Sequence, residues 1–179
     1  MSGILNSAGS RSGVIGSFEV KKTYVSQLSR GANSHPTPLE LNEWNTAGGA
    51  TLPGASDGHS LGSVAGVVIA GGESIKCTVW SFLADWNNDD PLNVVVWAND
   101  GGSDFFMKGT NMPTNWSAPT NLMFYNNVLA AGTYTFTVRF GSEDPAYYGI
   151  WWGGRGVYGD QSWAALKTEG FIQVDVIGA

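Results

Sequence analysis

The sequence contains few of the residue types on which metal centres, nucleophilic enzymes and disulfide scaffolds depend. Its 179 residues include one cysteine, Cys77, and two histidines, His35 and His59. A single cysteine excludes an intrachain disulfide framework, and the spacing of these three residues matches no zinc motif. The longest apolar run, 64–70, is too short to cross a bilayer. We therefore expect neither a zinc centre nor membrane insertion.

Charge is also scarce, because Asp, Glu, Lys and Arg together make up only 13% of the chain. Small and uncharged polar residues take their place, with 25 Gly, 17 Ser, 13 Asn and 12 Thr. Gly, Asn and Ser adopt turn conformations at low cost, so this composition favours short strands joined by many turns. Eight Trp, eight Phe and six Tyr provide enough apolar surface for a folded core, which argues against disorder.

The few charges are unevenly distributed along the chain. Residues 1–38 carry a net charge of +3, whereas residues 39–179 carry −9. An acidic body repels phosphate groups, so we expect no nucleic-acid partner. The first residues lack the cationic segment and apolar run of a signal peptide, which predicts synthesis and assembly in a cytoplasm.

The apolar pattern from Leu39 onward is typical of β-strands. Residues 133–140 alternate strictly between aromatic or aliphatic and polar side chains. Residues 74–84 and 171–177 also read as strands, each with apolar residues on one face: Ile75, Cys77, Val79 and Leu83 in the first, and Ile172, Val174 and Val176 in the second. Residues 92–98 are apolar apart from Asn93, as in a strand buried on both faces. Eight or nine such strands at short spacing predict an all-β protein, an antiparallel β-sandwich of jelly-roll type.

Several single residues within these strands also carry predictions. Gly62 and Gly66 interrupt one strand and are candidates for β-bulges. Trp80 and Trp97 lie within strands and are predicted to be core residues. Cys77 alternates with core residues, which favours a buried, unreactive thiol over a nucleophile.

Residues 1–38 are predicted to be an extended N-terminal arm and connector, and residues 39–179 the β-sandwich head domain. The first 17 residues are rich in Gly and Ser and cannot fold alone. Two apolar pairs, Ile4-Leu5 and Val14-Ile15, together with Arg11, suit a segment that becomes ordered when it docks on another surface. Residues 18–29 fit a strand and a helix equally well.

Aromatic residues near the predicted loops form the first candidate site. They are Trp116, Tyr147, Tyr148, Trp151, Trp152 and Trp163. Exposed aromatic rings stack on sugars, and they also concentrate at subunit interfaces, so both a glycan contact and a subunit contact stay open. Because adjacent strand residues point to opposite faces, one of Trp151 and Trp152 is expected in the core and the other outside.

An acidic loop forms the second candidate site. Asp85, Asn87, Asp89 and Asp90 offer the oxygen ligands that calcium prefers, although their spacing is not that of an EF-hand. A hydrated turn is the alternative. Asp89 and Asp90 could also serve a glycosidase, but no supporting pattern accompanies them, and no Gly-x-Ser-x-Gly elbow is present. We therefore expect no enzyme and no cofactor other than structural calcium.

Two stretches of the sequence carry a resemblance to a known group of proteins. Residues 3–6, Gly-Ile-Leu-Asn, followed by residues 9–16, resemble the N-terminus of small structural proteins of tailed bacteriophages. Residues 129–136 resemble the Leu-x-Ala-Gly-Thr-Tyr strand of phage fibre-head and decoration domains. The resemblance implies a virion component, a homotrimer with a jelly-roll head whose N-terminal arm binds other virion proteins. Because no long repetitive shaft is present, a short fibre, a spike tip or a head-attached protein fits the length better than a long fibre.

These observations lead to three hypotheses of different classes. The first is a non-enzymatic phage virion protein, a trimeric short fibre, spike or head decoration protein, assembled in the host bacterial cytoplasm, whose head contacts host surface glycans. The alternative is a free lectin-like carbohydrate-binding module. The third is a glycan-cleaving enzyme, for which the sequence shows no catalytic constellation.

Overall fold

The computed structural model of the protein describes residues 19–28, 31–33, 53–85, 92–112, 118–142, 150–152 and 170–178. Most of these residues lie in ten β-strands. In chain order the strands are β1 (Glu19–Gln27), β2 (Gly31–Asn33), β3 (His59–Ile69), β4 (Ser74–Asp85), β5 (Leu92–Asn99), β6 (Asp104–Met112), β7 (Ala118–Asn126), β8 (Gly132–Ser142), β9 (Ile150–Trp152) and β10 (Phe171–Gly178). None of the described segments is a helix long and apolar enough to span a membrane.

The strands form two antiparallel sheets, which we call sheet A and sheet B. Sheet A has the order β1–β10–β4 with β7 beyond β4, and sheet B has the order β3–β8–β5–β6. The short strand β9 pairs with the end of β4, past the segment of β4 that pairs with β10. Strand β9 therefore lies in line with β10, on the same side of β4. Strand β2 pairs with β9 and so lies in line with β1. Sheet A is thus four positions wide, as sheet B is.

The order in which the chain visits these positions identifies the topology. From β1 in sheet A it passes to β3 in sheet B, to β4 in A, to β5 and β6 in B, to β7 in A, to β8 in B and to β10 in A. Among the described strands, only the β5–β6 hairpin joins successive positions within one sheet. Two four-stranded sheets with this alternation form a jelly roll. The prediction of an all-β, antiparallel sandwich of jelly-roll type is confirmed.

The core lies between the two sheets and follows the predicted alternation. Three regular strands contribute alternate residues to the core cluster: Ile75, Cys77 and Val79 of β4, Tyr134, Phe136, Val138 and Phe140 of β8, and Ile172, Val174 and Val176 of β10. Strand β5 differs, because residues 94–98 are buried on both of its faces. This also agrees with the sequence, in which that strand is a continuous apolar run.

The boundary predicted after residue 38 is wrong for the residues of β1 and β2. Strand β1 pairs with β10 along its length, so it is part of the sandwich and not a connector or a helix. Leu28 is buried, and its amide donates a hydrogen bond to the Gly170 carbonyl at 2.8 Å. Tyr24 packs against the core, and its hydroxyl accepts a hydrogen bond from the Val68 amide at 3.0 Å. The rest of the predicted arm and connector, residues 1–18, 29–30 and 34–38, lies outside the described residues.

Two β-bulges explain why β3 does not alternate. Its register against β8 shifts between Ser60 and Gly62 and again between Val64 and Val67. Gly62 and Gly66 have φ values of 148° and 71°, which favour glycine, so the predicted bulges are confirmed. Each bulge inserts one extra residue. The buried residues of β3 are consequently spaced by three, three and two positions: Leu61, Val64, Val67 and Ile69.

Candidate ligand-binding face

Most of the residues that the sequence singled out lie outside the described part of the chain. These are the arm residues Ile4, Leu5, Arg11, Val14 and Ile15, the aromatic residues Trp116, Tyr147, Tyr148 and Trp163, and the loop residues Asn87, Asp89 and Asp90. The backbone of Trp151 and Trp152 lies in β9, and that of Asp85 is the last residue of β4. The roles assigned to these side chains stay predictions. Within the described residues, no group of three or more His, Cys, Asp or Glu is placed to hold a metal ion.

The described residues instead form a different candidate site, the outer face of sheet A. Because β10 and β4 bury alternate residues in the core, the residues between them point away from it. The strand register arranges these outward residues in three rows, each crossing β1, β10, β4 and β7. The rows are Thr23, Asp175, Lys76 and Tyr125, then Val25, Gln173, Thr78 and Met123, then Gln27, Phe171, Trp80 and Asn121.

Aromatic rings occupy the middle of the third row. Trp80 and Phe171 are direct cross-strand partners, and their rings stack with centroids 6.4 Å apart and an interplanar angle of 20°. Both side chains are partly exposed. The prediction that Trp80 is a core residue is wrong. Its neighbour on β4, Val79, points into the core, so the Trp80 side chain points to the outer face. Of the two tryptophans predicted to be buried, only Trp97 is.

Polar side chains surround a buried carboxylate in the first two rows. Asp175 is 5% exposed, although it lies on the outer face. Its Oδ1 accepts a hydrogen bond from Thr23 Oγ1 at 2.7 Å, and both carboxylate oxygens accept from Gln173 Nε2, at 2.9 and 3.0 Å. Alternation in residues 171–177 places Asp175 on the face opposite Ile172, Val174 and Val176, but it does not reveal the cross-strand partner of the carboxylate. Thr23 and Gln173 form a hydrogen-bonded cluster with Asp175 beside the aromatic pair.

Large apolar side chains are exposed at both sides of the outer face. Val25 of β1 is 59% exposed, and Met123 and Tyr125 of β7 are 57% and 63% exposed. The outer face of sheet A therefore combines stacked rings, amides, hydroxyls and accessible apolar groups.

The outer face of sheet B is covered at β5. Val95 and Trp97 of β5 are buried and pack against Ala55 and against Phe106 of β6, and the rings of Trp97 and Phe106 meet edge to face at 5.4 Å. Arg139 of β8 holds the covering turn in place. Its Nε donates to the Asp57 carbonyl at 2.6 Å, and its Nη2 donates to the carbonyls of Ser56 and Gly58 at 2.7 and 2.9 Å.

The thiol of Cys77 offers no nucleophile to either face. It is fully buried in the core, and burial raises its pKa to about 12, with a smaller contribution from the charge of Asp175. The thiol is therefore protonated near neutral pH, as an unreactive core cysteine should be.

The stretch of residues 129–136 that resembles phage head domains has a structural role. The Tyr134 hydroxyl donates a hydrogen bond to the Ala130 carbonyl at 3.0 Å and so closes the turn into β8. A Cβ atom at Gly132 would lie 3.2 Å from Cε2 of Tyr134, so the glycine makes room for the ring. Packing at this corner accounts for the glycine and tyrosine of the stretch without invoking a ligand.

Neither a family model nor a curated protein matches this chain. Among solved structures, it is similar to the C-terminal CBM6 of LamC, a marine laminarinase from Zobellia galactanivorans, with 16% identity, coverage of 86% of this chain and 99% of that chain, and a TM-score of 0.36. It is also similar to the carbohydrate binding module CBM6cm-2 of Cellvibrio mixtus lichenase 5A in complex with cellotriose, with 15% identity, coverage of 88% and 98%, and a TM-score of 0.33. Scores this low carry no argument about the ligand of this chain, and the fold assignment rests on the strand order.

Proposed function

We propose that the protein is a non-catalytic carbohydrate-binding β-sandwich whose ligand lies across the outer face of sheet A. The observation that carries this proposal is the partly exposed, stacked pair of Trp80 and Phe171 beside the Asp175 cluster. It develops the glycan-binding alternative of the sequence analysis but moves the platform from the loops to a sheet.

The chemistry of this face matches that of a sugar. A pyranose ring has apolar C–H faces and a rim of hydroxyl groups, so it binds best where an aromatic surface lies next to hydrogen-bonding side chains. Trp80 and Phe171 provide the aromatic surface, while Gln173, Thr78 and Asn121 on the same face provide amides and a hydroxyl. These side chains stand on paired strands, so the site is largely formed before the ligand arrives, which lowers the entropic cost of binding.

The test is the variant Trp80→Ala, compared with Val68→Ala. Val68 is 51% exposed on β3, away from the outer face of sheet A, and serves as the control for an exposed apolar truncation. We expect Trp80→Ala to retain the fold by circular dichroism and to lose glycan binding in affinity electrophoresis through polysaccharide gels. Val68→Ala should migrate as the wild type does. Equal retardation of Trp80→Ala and wild type would show that this face is not the binding site.

We also propose a virion location as a second candidate, on the basis of the phage-like residues 3–6 and 9–16 and the change in net charge after residue 38. In this proposal the arm holds a homotrimeric head on the particle, and glycan binding serves host attachment. Deletion of residues 1–17 should then leave the head folded and still trimeric by light scattering but abolish attachment to particles. A wild-type chain that is monomeric in light scattering would contradict the trimer, and attachment that survives the deletion would contradict the docking arm.

A further inference from the structure

Resting on the glycan-binding function proposed above, we infer that the ligand is a neutral, hydroxyl-rich glycan and that Asp175 selects it by fixing the side-chain amide of Gln173. Asp175 is a positioning residue in this scheme, because it is buried beneath the face and acts through Gln173. The inference rests on the hydrogen bonds of the cluster and on the charges of the face.

The first step concerns the orientation of the amide. Gln173 Nε2 donates to both carboxylate oxygens of Asp175. Hydrogen bonds to a charged acceptor are roughly twice as strong as neutral ones, so this contact decides which way the amide faces. With Nε2 directed at Asp175, Oε1 is on the other side of the planar group. Gln173 therefore presents a fixed acceptor.

The second step concerns what this acceptor can reach. Gln173 follows Phe171 by two residues on the same face of β10, a distance of about 7 Å at the usual rise of a strand. Thr78 lies beside Gln173 in the register, next to Trp80 along β4 on the same face. A sugar stacked on the aromatic pair can thus direct a hydroxyl group toward Gln173 Oε1, while Thr78 can donate or accept.

The third step concerns charge. A hydroxyl group can donate to Gln173 Oε1, but an ionised sulfate, phosphate or carboxylate group has no proton to donate and would approach the Asp175 carboxylate. Lys76 brings one cation to the face, yet it lies directly opposite Asp175 in the register, which offsets its attraction for an anion. The net charge of −6 adds a long-range repulsion. Together these terms favour a neutral glycan over a polyanionic one.

The experiment compares pairs of polysaccharides that share a backbone, of which one member is neutral and the other is anionic. The probes are hydroxyethyl cellulose against carboxymethyl cellulose, and dextran against dextran sulfate, with mannan as a further neutral glycan. Affinity electrophoresis at 0.15 M salt, the physiological ionic strength, measures retardation of the full chain. We expect retardation by at least one neutral glycan and none by its charged partner. Tighter binding to the charged partners would overturn the inference and leave the proposed function standing.

The role of Asp175 is tested with Asp175→Asn, Gln173→Ala and the double variant. Each single variant removes one hydrogen-bonding contribution to the ligand, and we expect the affinity for the neutral glycan to fall about tenfold. The double variant should bind no more weakly than either single one, because Asp175 acts through Gln173. Glu19→Gln is the control: it also removes one negative charge, at the start of β1, and it should bind the glycan as the wild type does.

A nuclear magnetic resonance signal distinguishes positioning from a general structural role. The side-chain NH₂ resonances of Gln173 should shift in Asp175→Asn, while the resonances of core methyl groups stay in place. If Asp175→Asn does not fold, Gln173→Ala decides alone, and unchanged affinity in that variant overturns the inference. Neutral-glycan binding that Trp80→Ala abolishes but Gln173→Ala and Asp175→Asn leave intact would refute the inference only. A wild-type chain that binds none of the probes would refute the inference and the proposed function together.

Discussion

The outer faces of the two sheets differ in the exposure of the tryptophan that each one carries. On sheet B, Trp97 is 8% exposed beneath a turn that Arg139 holds by three backbone carbonyls. On sheet A, Trp80 is partly exposed and stacks on Phe171. The same residue type therefore serves folding on one face and is available for contact on the other. A jelly roll needs only one core, so a covered outer face adds stability while an open one is free for recognition.

The largest expected effect comes from making the same truncation on both faces. Trp97→Ala should lower the free energy of unfolding by about 3–5 kcal/mol, because it empties a buried site in a covered cluster. Trp80→Ala should lower it by only about 2 kcal/mol, through loss of partial burial and of the aromatic contact with Phe171, because it leaves no closed cavity. Urea unfolding of both variants gives the two values. Equal losses would mean that the two faces are alike and that Trp80 is a core residue after all.

A smaller loss is expected when the cover of sheet B is loosened. Arg139→Met removes the hydrogen bonds to Ser56, Asp57 and Gly58, and it should lower the free energy of unfolding by about 2–3 kcal/mol. Acrylamide should then quench Trp97 fluorescence more strongly in the folded protein. Arg139→Lys keeps the charge but not the planar fork, so it should restore only part of the loss. Full restoration by lysine would show that charge, and not carbonyl geometry, holds the turn.

The smallest effect concerns Cys77, between the two faces, and appears only at alkaline pH. Its pKa is raised from 9.0 to about 12, so the folded state keeps its proton while the unfolded state loses it. The stabilisation from this difference is complete below pH 9 and is lost as the pH rises toward 12. At pH 10 the free energy of unfolding should have fallen by about 1.4 kcal/mol, and Cys77→Val should lack this component. Parallel pH dependences of the two proteins would show that the thiol ionises equally in both states.

Alternation allowed the core strands to be predicted from sequence, and it explains the errors as well. In residues 133–140 the two faces differ so strongly in polarity that burial follows directly. On β4 the same alternation places Trp80 on the face of Lys76 and Thr78, and the wrong prediction of a core position came from its location within a strand. Burial of Asp175 depends on Thr23, which precedes it by 152 residues and lies beside it only through the β1–β10 pairing. A local pattern carries no information about such a partner.

The same limit applies to the candidate site. The sequence drew attention to tryptophans near loops, because loops usually carry function. The stacked pair is formed by residues on two strands that are distant in sequence, Trp80 and Phe171, and neither strand alone shows it. An aromatic residue at an outward position of β4 and another at an outward position of β10 could have indicated the site, but only once the pairing of these two strands was known.

The pairing of β1 with β10 also has a mechanical consequence. Glu19, at the start of β1, lies opposite Gly178, at the end of β10. Tension applied across these two ends runs perpendicular to the strands, so it opens the ladder one hydrogen bond after another and never loads all of them in shear. Strand β1 is at the edge of its sheet and would separate first, carrying Thr23 away from Asp175. A force that enters through the N-terminal segment would thereby reach the outer face of sheet A before the core of the sandwich opens.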